Sequence, residues 1–186
     1  MRIVVTGTSG GVGSAVAARA RARDWEVIEV NRAQFLSTAA LVKERDIGAV
    51  VFATGCCQVK SLLQTTDEAF AETIAVNCGY FLRLMRELVC GRRYDPSGMK
   101  VLAISSVSAT EGWPGGAAYC ASKGALSALC RALDAELSPK RITVRALEPR
   151  YIRTRMFSEG AMRMGVPANL AVSSDDFAAE VIGYLV

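Results

Sequence analysis

Histidine is absent from this sequence of 186 residues. Its absence excludes Ser/His/Asp and Cys/His nucleophile pairs, histidine-ligated metals and imidazole general bases. Any proton chemistry must therefore use Tyr, Lys, Cys or a carboxylate. The spacing CxxC is also absent, so no zinc site and no other metal site is expected.

Membrane-spanning and secretory segments are missing as well. The apolar runs fall short of the ~18 to 20 residues needed to cross a bilayer. The chain starts in a strand-like run, Met1 to Thr6, rather than in a cleavable leader. We therefore expect a cytoplasmic protein with no membrane association. In that compartment the cysteines should be reduced, mostly buried thiols; they are Cys56, Cys57, Cys78, Cys90, Cys120 and Cys130.

Length and charge limit the number of domains and the kinds of partner that this protein can have. Residues 1–186 suffice for one domain and leave no room for a second. The net charge is +4, and the window from Arg141 to Arg163 carries it, with six Arg against two Glu. Because no recognition-helix pattern accompanies these arginines, no nucleic-acid binding is expected. The window is either a solvated basic face or a local anion site that includes Arg150 and Arg153.

Short β-branched runs alternate with helical sequence along the chain. Strands are predicted at Ile3 to Val5, Val27 to Val30, Ala49 to Ala53, Val101 to Ser105 and Thr143 to Leu147. Helices are predicted at about Val12 to Arg23, Asp67 to Val89, Tyr119 to Leu137 and Asp175 to Leu185. This alternation predicts an α/β fold, a doubly wound parallel sheet in three α/β/α layers, which is Rossmann-like.

A glycine-rich turn follows the first strand. It runs from Thr6 to Gly13 and leads directly into the first helix. Glycines at such a turn let the backbone approach a pyrophosphate, whose charge is stabilised by exposed N–H groups and the helix dipole. The alternative is a tight strand-to-helix turn that binds nothing.

Tyr119 and Lys123 are four residues apart and share one helical face. A nearby cation stabilises a phenolate, so we expect Lys123 to lower the pKa of Tyr119. Ser106 follows the strand at Val101 to Ser105, at the edge where an open parallel sheet forms its ligand crevice. These three residues are therefore candidates for one site.

The sequence resembles the short-chain dehydrogenase/reductase family, in its branch of short single-domain chains. The glycine turn is similar to the family motif TGxxxGxG, and Tyr119 with Lys123 is similar to YxxxK. Ile104-Ser105-Ser106, Val76 to Gly79 and Glu148 to Thr154 resemble further motifs in the family's order. The resemblance implies one dinucleotide-binding catalytic domain over residues 1–186.

The resemblance implies roles for four residues. Tyr119 would be the acid/base, Ser106 would hold the substrate oxygen, Lys123 would bind the nicotinamide ribose, and Asn77 would position a water in the proton relay. The alternatives are a core tyrosine bonded to backbone and, for Asn77, a polar residue that kinks its helix. The implied cofactor contacts are Gly7, Thr8, Ser9, Gly11, Val12, Gly13, Asn31, Arg32, Ala53, Thr54, Gly55, Tyr119, Lys123, Pro149, Arg150, Ile152 and Thr154.

The sequence also departs from the family pattern. Only about sixteen residues separate Arg32 from the strand at Ala49, and the last family strand has no counterpart. We therefore expect a sheet that lacks the usual third and last strands. Arg150 stands where the family has Gly, and Ala53-Thr54-Gly55 replaces its Asn-Asn-Ala-Gly segment.

Asn31 and Arg32 end the second strand, where the family binds the adenosine part of the cofactor. A carboxylate there would repel a 2′-phosphate, whereas Arg pairs with it. NADP(H) is therefore favoured over NAD(H), with a merely solvated Arg32 as the alternative.

The predicted function is the NADP(H)-dependent interconversion of a small carbonyl compound and its alcohol. The substrate could carry an anionic group, and the segment from Phe157 to Ser173 is expected to cover it. A homodimer is expected because the helix from Tyr119 to Leu137 is apolar nearly all round. The alternative function is a non-catalytic dinucleotide-binding or regulatory protein that keeps the fold.

Overall fold

Five parallel strands form the centre of the protein in a computed structural model that describes residues 1–158 and 167–186. The strands are β1 (Arg2–Thr6), β2 (Glu26–Val30), β3 (Ile47–Phe52), β4 (Met99–Ile104) and β5 (Ile142–Leu147), and their order in the sheet is β2-β1-β3-β4-β5. Order and direction confirm the predicted doubly wound sheet. All five predicted strands are present, with small shifts at their ends.

Helices cover both faces of the sheet. They are α1 (Gly11–Arg21), α2 (Arg32–Leu36), α3 (Asp67–Ile74), α4 (Tyr80–Cys90), α5 (Ala117–Leu137) and α6 (Ser174–Leu185). Short 3₁₀ turns lie at Leu62–Gln64, Val107–Ala109, Ser138–Lys140 and Ala168–Leu170. The helices α1 and α6 pack on Ile3, Val5 and Val51 of the sheet. The opposite face, with Val4 and Val50, packs on α4 and α5. The three predicted layers are confirmed.

The predicted helix from Asp67 to Val89 is interrupted in the structure. A π-helical turn, Ala75–Gly79, joins α3 to α4. The hydroxyl of Thr66 accepts a hydrogen bond from the N–H of Ala69 at 3.2 Å and thus caps the start of α3. Such turns insert one extra residue into a helix and frequently occur at functional sites. This one holds Asn77.

The crossover from β2 to β3 is short, as the sequence predicts. It contains α2 and an irregular segment, residues 37–46, which α4 holds through two side chains. Arg83 donates to the carbonyl oxygens of Phe35, Ser37 and Ala39. The carboxylate of Glu87 accepts from the N–H groups of Leu41 and Val42 at 3.0 and 2.9 Å. These bonds satisfy backbone groups that a sheet would otherwise pair.

The last family strand has no counterpart in the described residues, and β5 is the edge of the sheet. A small parallel pair, β6 (Ile152–Arg153) and β7 (Val172–Ser173), was not predicted. The segment from Phe157 to Ser173 is the one that the sequence analysis expects to cover the substrate. Its residues 159–166 lie outside the described part of the chain. No helix in the described ranges combines the length and apolarity that a membrane span requires.

The cysteine prediction needs a correction. All six thiols are free, but only Cys130 is buried; Cys90 is exposed and the other four are half-buried. Cys56 and Cys57 lie in the segment that follows β3, and Cys120 lies in the first turn of α5. These three thiols are half-buried because they lie at the open edge of the sheet rather than in its core.

Candidate active site

The carboxyl ends of the five strands bring the predicted site residues to one edge of the sheet. The turn from Gly7 to Gly13 follows β1, Asn31 and Arg32 follow β2, and Ala53 to Gly55 follow β3. Ser106 follows β4, and Pro149 to Thr154 follow β5. Tyr119 and Lys123 join them from the first turns of α5. Ligands of open parallel sheets bind at this edge.

The glycine turn is shaped by close backbone contacts. Gly7 has a φ of +69°, and a Cβ there would lie 2.7 Å from the carbonyl oxygen of Ala53. A Cβ on Gly13 would lie 2.4 Å from the carbonyl oxygen of Gly7. Gly10 places no side chain over the start of α1, and the first turn of α1 holds no acidic residue. The N–H groups of that first turn therefore stay available to an anion. The turn therefore fits a pyrophosphate.

Thr6 fixes the segment after β3 against this turn. Its Oγ1 accepts from the N–H groups of Ala53 and Thr54, both at 3.1 Å, and from the hydroxyl of Thr54 at 2.8 Å. All of these groups are buried or half-buried. The Ala53-Thr54-Gly55 segment is thus held rigidly beside the place where the pyrophosphate would lie.

Tyr119 lies against Ser106 in a largely enclosed position. Ser106 is close enough to the Tyr119 hydroxyl to lower its pKa, and Ser106 Oγ accepts a hydrogen bond from the N–H of Ser108 at 3.1 Å. The Trp113 ring lies 6.4 Å from the Tyr119 ring between centroids. Burial, with a smaller effect from Cys57, raises the pKa of Tyr119 above its ordinary value. The sequence prediction of a lowered pKa is wrong for the chain by itself, because desolvation of the phenolate outweighs the lowering effect of Ser106.

Lys123 is a buried cation, 4% exposed, beneath Tyr119. Its Nζ donates to the carbonyl oxygen of Ile104 at 2.7 Å and lies 5.6 Å from the centroid of the Tyr119 ring. Desolvation lowers the pKa of Lys123 to about 8. An ammonium has three hydrogens, and the described residues supply one oxygen acceptor to them. The remaining donors fit the hydroxyl groups of a ribose.

Asn77 is fully buried in the π-helical turn. Its Oδ1 accepts from the N–H of Cys56 at 2.7 Å, and its Nδ2 donates to the carbonyl oxygen of Cys56 at 2.9 Å and to Ser122 Oγ at 2.8 Å. Both amide hydrogens are therefore used. The side chain ties the segment after β3 to α5, and its Oδ1, which accepts one hydrogen bond, keeps a second lone pair for a water.

A chain of hydrogen bonds not predicted from the sequence lies behind Lys123. Ser105 Oγ donates to the carbonyl oxygen of Lys123 at 3.1 Å and contacts Ser127 Oγ at 2.8 Å. Ser127 donates to Glu148 Oε1 at 2.7 Å. These bonds connect α5 to the ends of β4 and β5 and so fix the helix that carries Tyr119 and Lys123. The sequence feature that indicates such buried hydrogen bonds is the presence of two serines, Ser122 and Ser127, on an otherwise apolar helix.

The end of β2 is organised differently from the sequence prediction. Asn31 Oδ1 accepts from the N–H of Gln34 at 3.2 Å, and Gln34 Oε1 accepts from the N–H of Asn31 at 2.8 Å. This capping box starts α2 and occupies the Asn31 side chain. Arg32 donates to Glu72 Oε1 of α3 at 2.6 Å. Both predicted cofactor contacts thus have partners within the chain.

The arginines after β5 also have partners. Arg150 forms a two-pronged pair with Glu111, at 3.1 and 2.6 Å, and Arg153 donates to the carbonyl oxygen of Ala171 at 3.3 Å. The carbonyl oxygen of Pro149 accepts from the N–H of Val107 at 3.2 Å. Glu111, which the sequence analysis did not single out, therefore joins the loop after β4 to the segment after β5.

Two predicted contacts after β5 remain near the glycine turn. Ile152 pairs with Val172 in the small sheet. Thr154 lies against Gly11, since a Cβ on Gly11 would come within 3.0 Å of Thr154 Cγ2 and of Ser174 Oγ. The hydroxyl of Thr154 accepts from the N–H of Phe157 at 3.1 Å. Thr8 and Ser9 are on the open side of the turn, where Thr8 donates to Glu29.

Fold and site together define a dinucleotide-binding α/β protein with a buried Ser, Tyr and Lys at the carboxyl edge of its sheet. The family model described as enoyl-(acyl carrier protein) reductase matches residues 17–171. The chain belongs to the short-chain dehydrogenase/reductase family, whose members are oxidoreductases that use nicotinamide dinucleotides.

Proteins of similar sequence include two reductases. The chain is 28% identical to the short-chain reductase protein NovJ of Streptomyces niveus, over 87% of this chain and 73% of that protein. It is 27% identical to the 3-oxoacyl-[acyl-carrier-protein] reductase FabG of Rickettsia typhi, over 82% and 73% of the two chains.

Among solved structures, the fold is similar to that of an actinorhodin polyketide ketoreductase with NADPH. The TM-score is 0.84 at 19% identity, covering 99% of this chain and 89% of that one. A 3-ketoacyl-(acyl-carrier-protein) reductase from Brucella melitensis complexed with NADH gives a TM-score of 0.79 at 20% identity, covering 100% and 90%. These likenesses confirm the fold.

The burial of Lys123 predicts how stability depends on pH. The pKa of Lys123 is about 8 in the folded protein, below its ordinary value of 10.5. Between these values the unfolded chain holds a proton that the folded chain has released, so stability should rise with pH, by at most on the order of 1 kcal/mol per pH unit. Below about pH 8 both states are protonated and this contribution is constant.

Urea unfolding of the wild type and of Lys123→Met at several pH values isolates this contribution, because other groups titrate in both proteins. We expect the stability of the wild type relative to the variant to increase from about pH 8 towards pH 10. A difference that does not change with pH would show that Lys123 has an ordinary pKa.

Proposed function

We propose that the protein is an NADP(H)-dependent oxidoreductase that interconverts a small-molecule carbonyl compound and its alcohol. The observation that carries the proposal is the proximity of the Tyr119 hydroxyl to Ser106, with the buried Lys123 ammonium 5.6 Å from the centroid of the Tyr119 ring. A proton donor, a hydrogen-bonding group for the reacting oxygen and a cation thus meet beside the glycine turn. Residues 1–186 would act as one catalytic domain.

Each site residue has a distinct task in this mechanism. In the reductive direction, the Tyr119 hydroxyl donates its proton to the substrate oxygen, and Ser106 donates a hydrogen bond that holds this oxygen. Lys123 binds ribose hydroxyls through its free N–H groups and stabilises the phenolate that Tyr119 becomes. The bound nicotinamide supplies or accepts the hydride. Asn77 keeps the segment after β3 and α5 at a fixed separation.

The raised pKa of Tyr119 keeps its hydroxyl protonated but makes it a weaker proton donor. A cation that remains charged beside Tyr119 would offset this effect, because it stabilises the phenolate. Ribose oxygens that accept hydrogen bonds from Lys123 would favour its charged form. In this proposal, cofactor binding therefore prepares Tyr119 for proton transfer.

The substrate site would lie between the loop after β4 and the segment after β5. Trp113 provides an apolar wall, while Arg150 and Glu111 provide charges at its entrance. An anionic substrate group would reach Arg150 only by replacing Glu111. We propose the cytoplasm as the place of action, on the strength of the free cysteines.

A non-catalytic dinucleotide-binding protein is the second candidate. The observation that favours it is the pair between Arg150 and Glu111, which connects the two loops across the substrate side of the site. A fixed pair at this place would restrict access to Tyr119. Binding of the cofactor without turnover on any ketone or alcohol would favour this candidate.

The first test of the proposed chemistry is Tyr119→Phe. This change keeps the ring and removes the proton, so kcat should fall by ~10² to 10⁴ while affinity for NADPH remains similar. Oxidation of NADPH over a panel of ketones measures kcat, and fluorescence titration measures affinity.

Tyr94→Phe is the matched control, because Tyr94 pairs with Ile47 at the opposite end of β3. Its kcat should equal that of the wild type. Turnover by Tyr119→Phe at the wild-type rate would refute the assignment of Tyr119 as the acid/base.

The second test concerns the cofactor. We propose that Arg32 gives a preference for NADP(H), since a guanidinium binds a 2′-phosphate by charge-assisted hydrogen bonds. Arg32→Ala should weaken the binding of NADPH by about tenfold and that of NADH much less. Arg23→Ala, which removes an exposed arginine at the end of α1, should change neither affinity. Equal affinities of the wild type for both cofactors would contradict the preference.

The third test concerns assembly, for which we propose a homodimer through α4 and α5. The outer face of α5 exposes the small residues Ala121, Ala128 and Ala132, and Leu82 of α4 is 46% exposed. Small side chains let two helices approach closely. Light scattering at micromolar concentration should give twice the chain mass, and Ala128→Arg should give the monomer mass. A monomeric wild type would refute the proposal.

A further inference from the structure

Arg32 and Glu72 form an ion pair between two distant parts of the chain. The guanidinium of Arg32, at the start of α2, donates to Glu72 Oε1 of α3 at 2.6 Å. Both side chains are about half exposed, at 55% and 46%. The pair can therefore be reached by a ligand, and water can replace either partner.

The pair lies on the cofactor side of the sheet. Cys56, which follows β3, lies close enough to interact electrostatically with Arg32, Glu72 and Lys123. Its thiol also lies close to Thr73, the residue next to Glu72. Arg32 and Glu72 thus lie near the segment after β3 rather than on a remote surface.

A carboxylate so close to Arg32 changes what the guanidinium offers to a phosphate. A dianionic 2′-phosphate bound by Arg32 would lie near the Glu72 carboxylate, and like charges at this distance repel. If Arg32 turned towards the phosphate instead, the ion pair would be lost. In both cases Glu72 opposes the binding of the phosphate. A ribose 2′-hydroxyl is neutral and meets no such opposition.

We infer that Glu72 is a specificity-determining residue that competes with the 2′-phosphate of NADP(H) for Arg32. This inference rests on the proposed function, because it requires the adenosine end of the cofactor to lie at Arg32. Glu72 keeps the preference for NADP(H) below the value that Arg32 alone would give. The resting pair also holds the guanidinium in place when no phosphate is bound.

The experiment is a titration of the full chain with NADPH and with NADH, in the wild type and in Glu72→Gln. Glutamine keeps the shape of the side chain and removes its charge. The ratio of the two affinities should move towards NADPH by about threefold to tenfold, and the change should shrink in high salt because the pair is half exposed. Glu68→Gln removes a negative charge from the same helix without contacting Arg32, so its ratio should equal that of the wild type.

A second comparison uses Arg32→Ala as the background. Because Glu72 acts through Arg32, Glu72→Gln should move the ratio much less when Arg32 is absent. An unchanged ratio in Glu72→Gln, or the same shift with and without Arg32, would overturn the inference while leaving the proposed function intact. Failure of the wild type to bind either cofactor would overturn both.

Discussion

The buried ammonium of Lys123 is the constraint on which the arrangement of the site depends. Moving a charge out of water is costly unless polar partners replace the solvent. Here Lys123 donates to the carbonyl oxygen of Ile104, at the end of β4, and the Lys123 carbonyl accepts from Ser105. These two bonds join Lys123 of α5 to the end of β4. The position of Tyr119 relative to Ser106 follows from them.

Burial moves the pKa values of Lys123 and Tyr119 in opposite directions, and both shifts favour the neutral form. A group that accepts hydrogen bonds from Lys123 would therefore stabilise the charged form of Lys123 against its burial. Residues at functional sites are often held in such unfavourable environments, and the cost is met by packing elsewhere. In this chain Leu126 and Cys130, one and two turns further along α5, pack in the apolar core and hold the helix on the sheet.

The sequence predicted the strands and the glycine turn because their signals are local. The run Ile3-Val4-Val5 and the turn after it determine their own conformation, and Tyr119 and Lys123 share a face because a helix places residues four apart together. The short helix α2 was missed although Asn31 and Gln34 have the spacing of a capping box. Long-range pairings could not be predicted, since Arg32 and Glu72 are 40 positions apart and nothing local selects the partner.

The same limit applies to the basic segment, for which the sequence left a solvated face and a local anion site as alternatives. Six arginines between Arg141 and Arg163 suggested an anion site, yet Arg150 is paired with Glu111 across the two loops. Arg32 follows the same pattern with Glu72. An arginine that later binds a phosphate or carboxylate needs acceptors for its donors, which either water or a neighbouring carboxylate supplies. A carboxylate partner satisfies those donors and orients the guanidinium, but any anion then binds in exchange for it. The affinity of such a site is therefore the difference between two ion pairs rather than the strength of one.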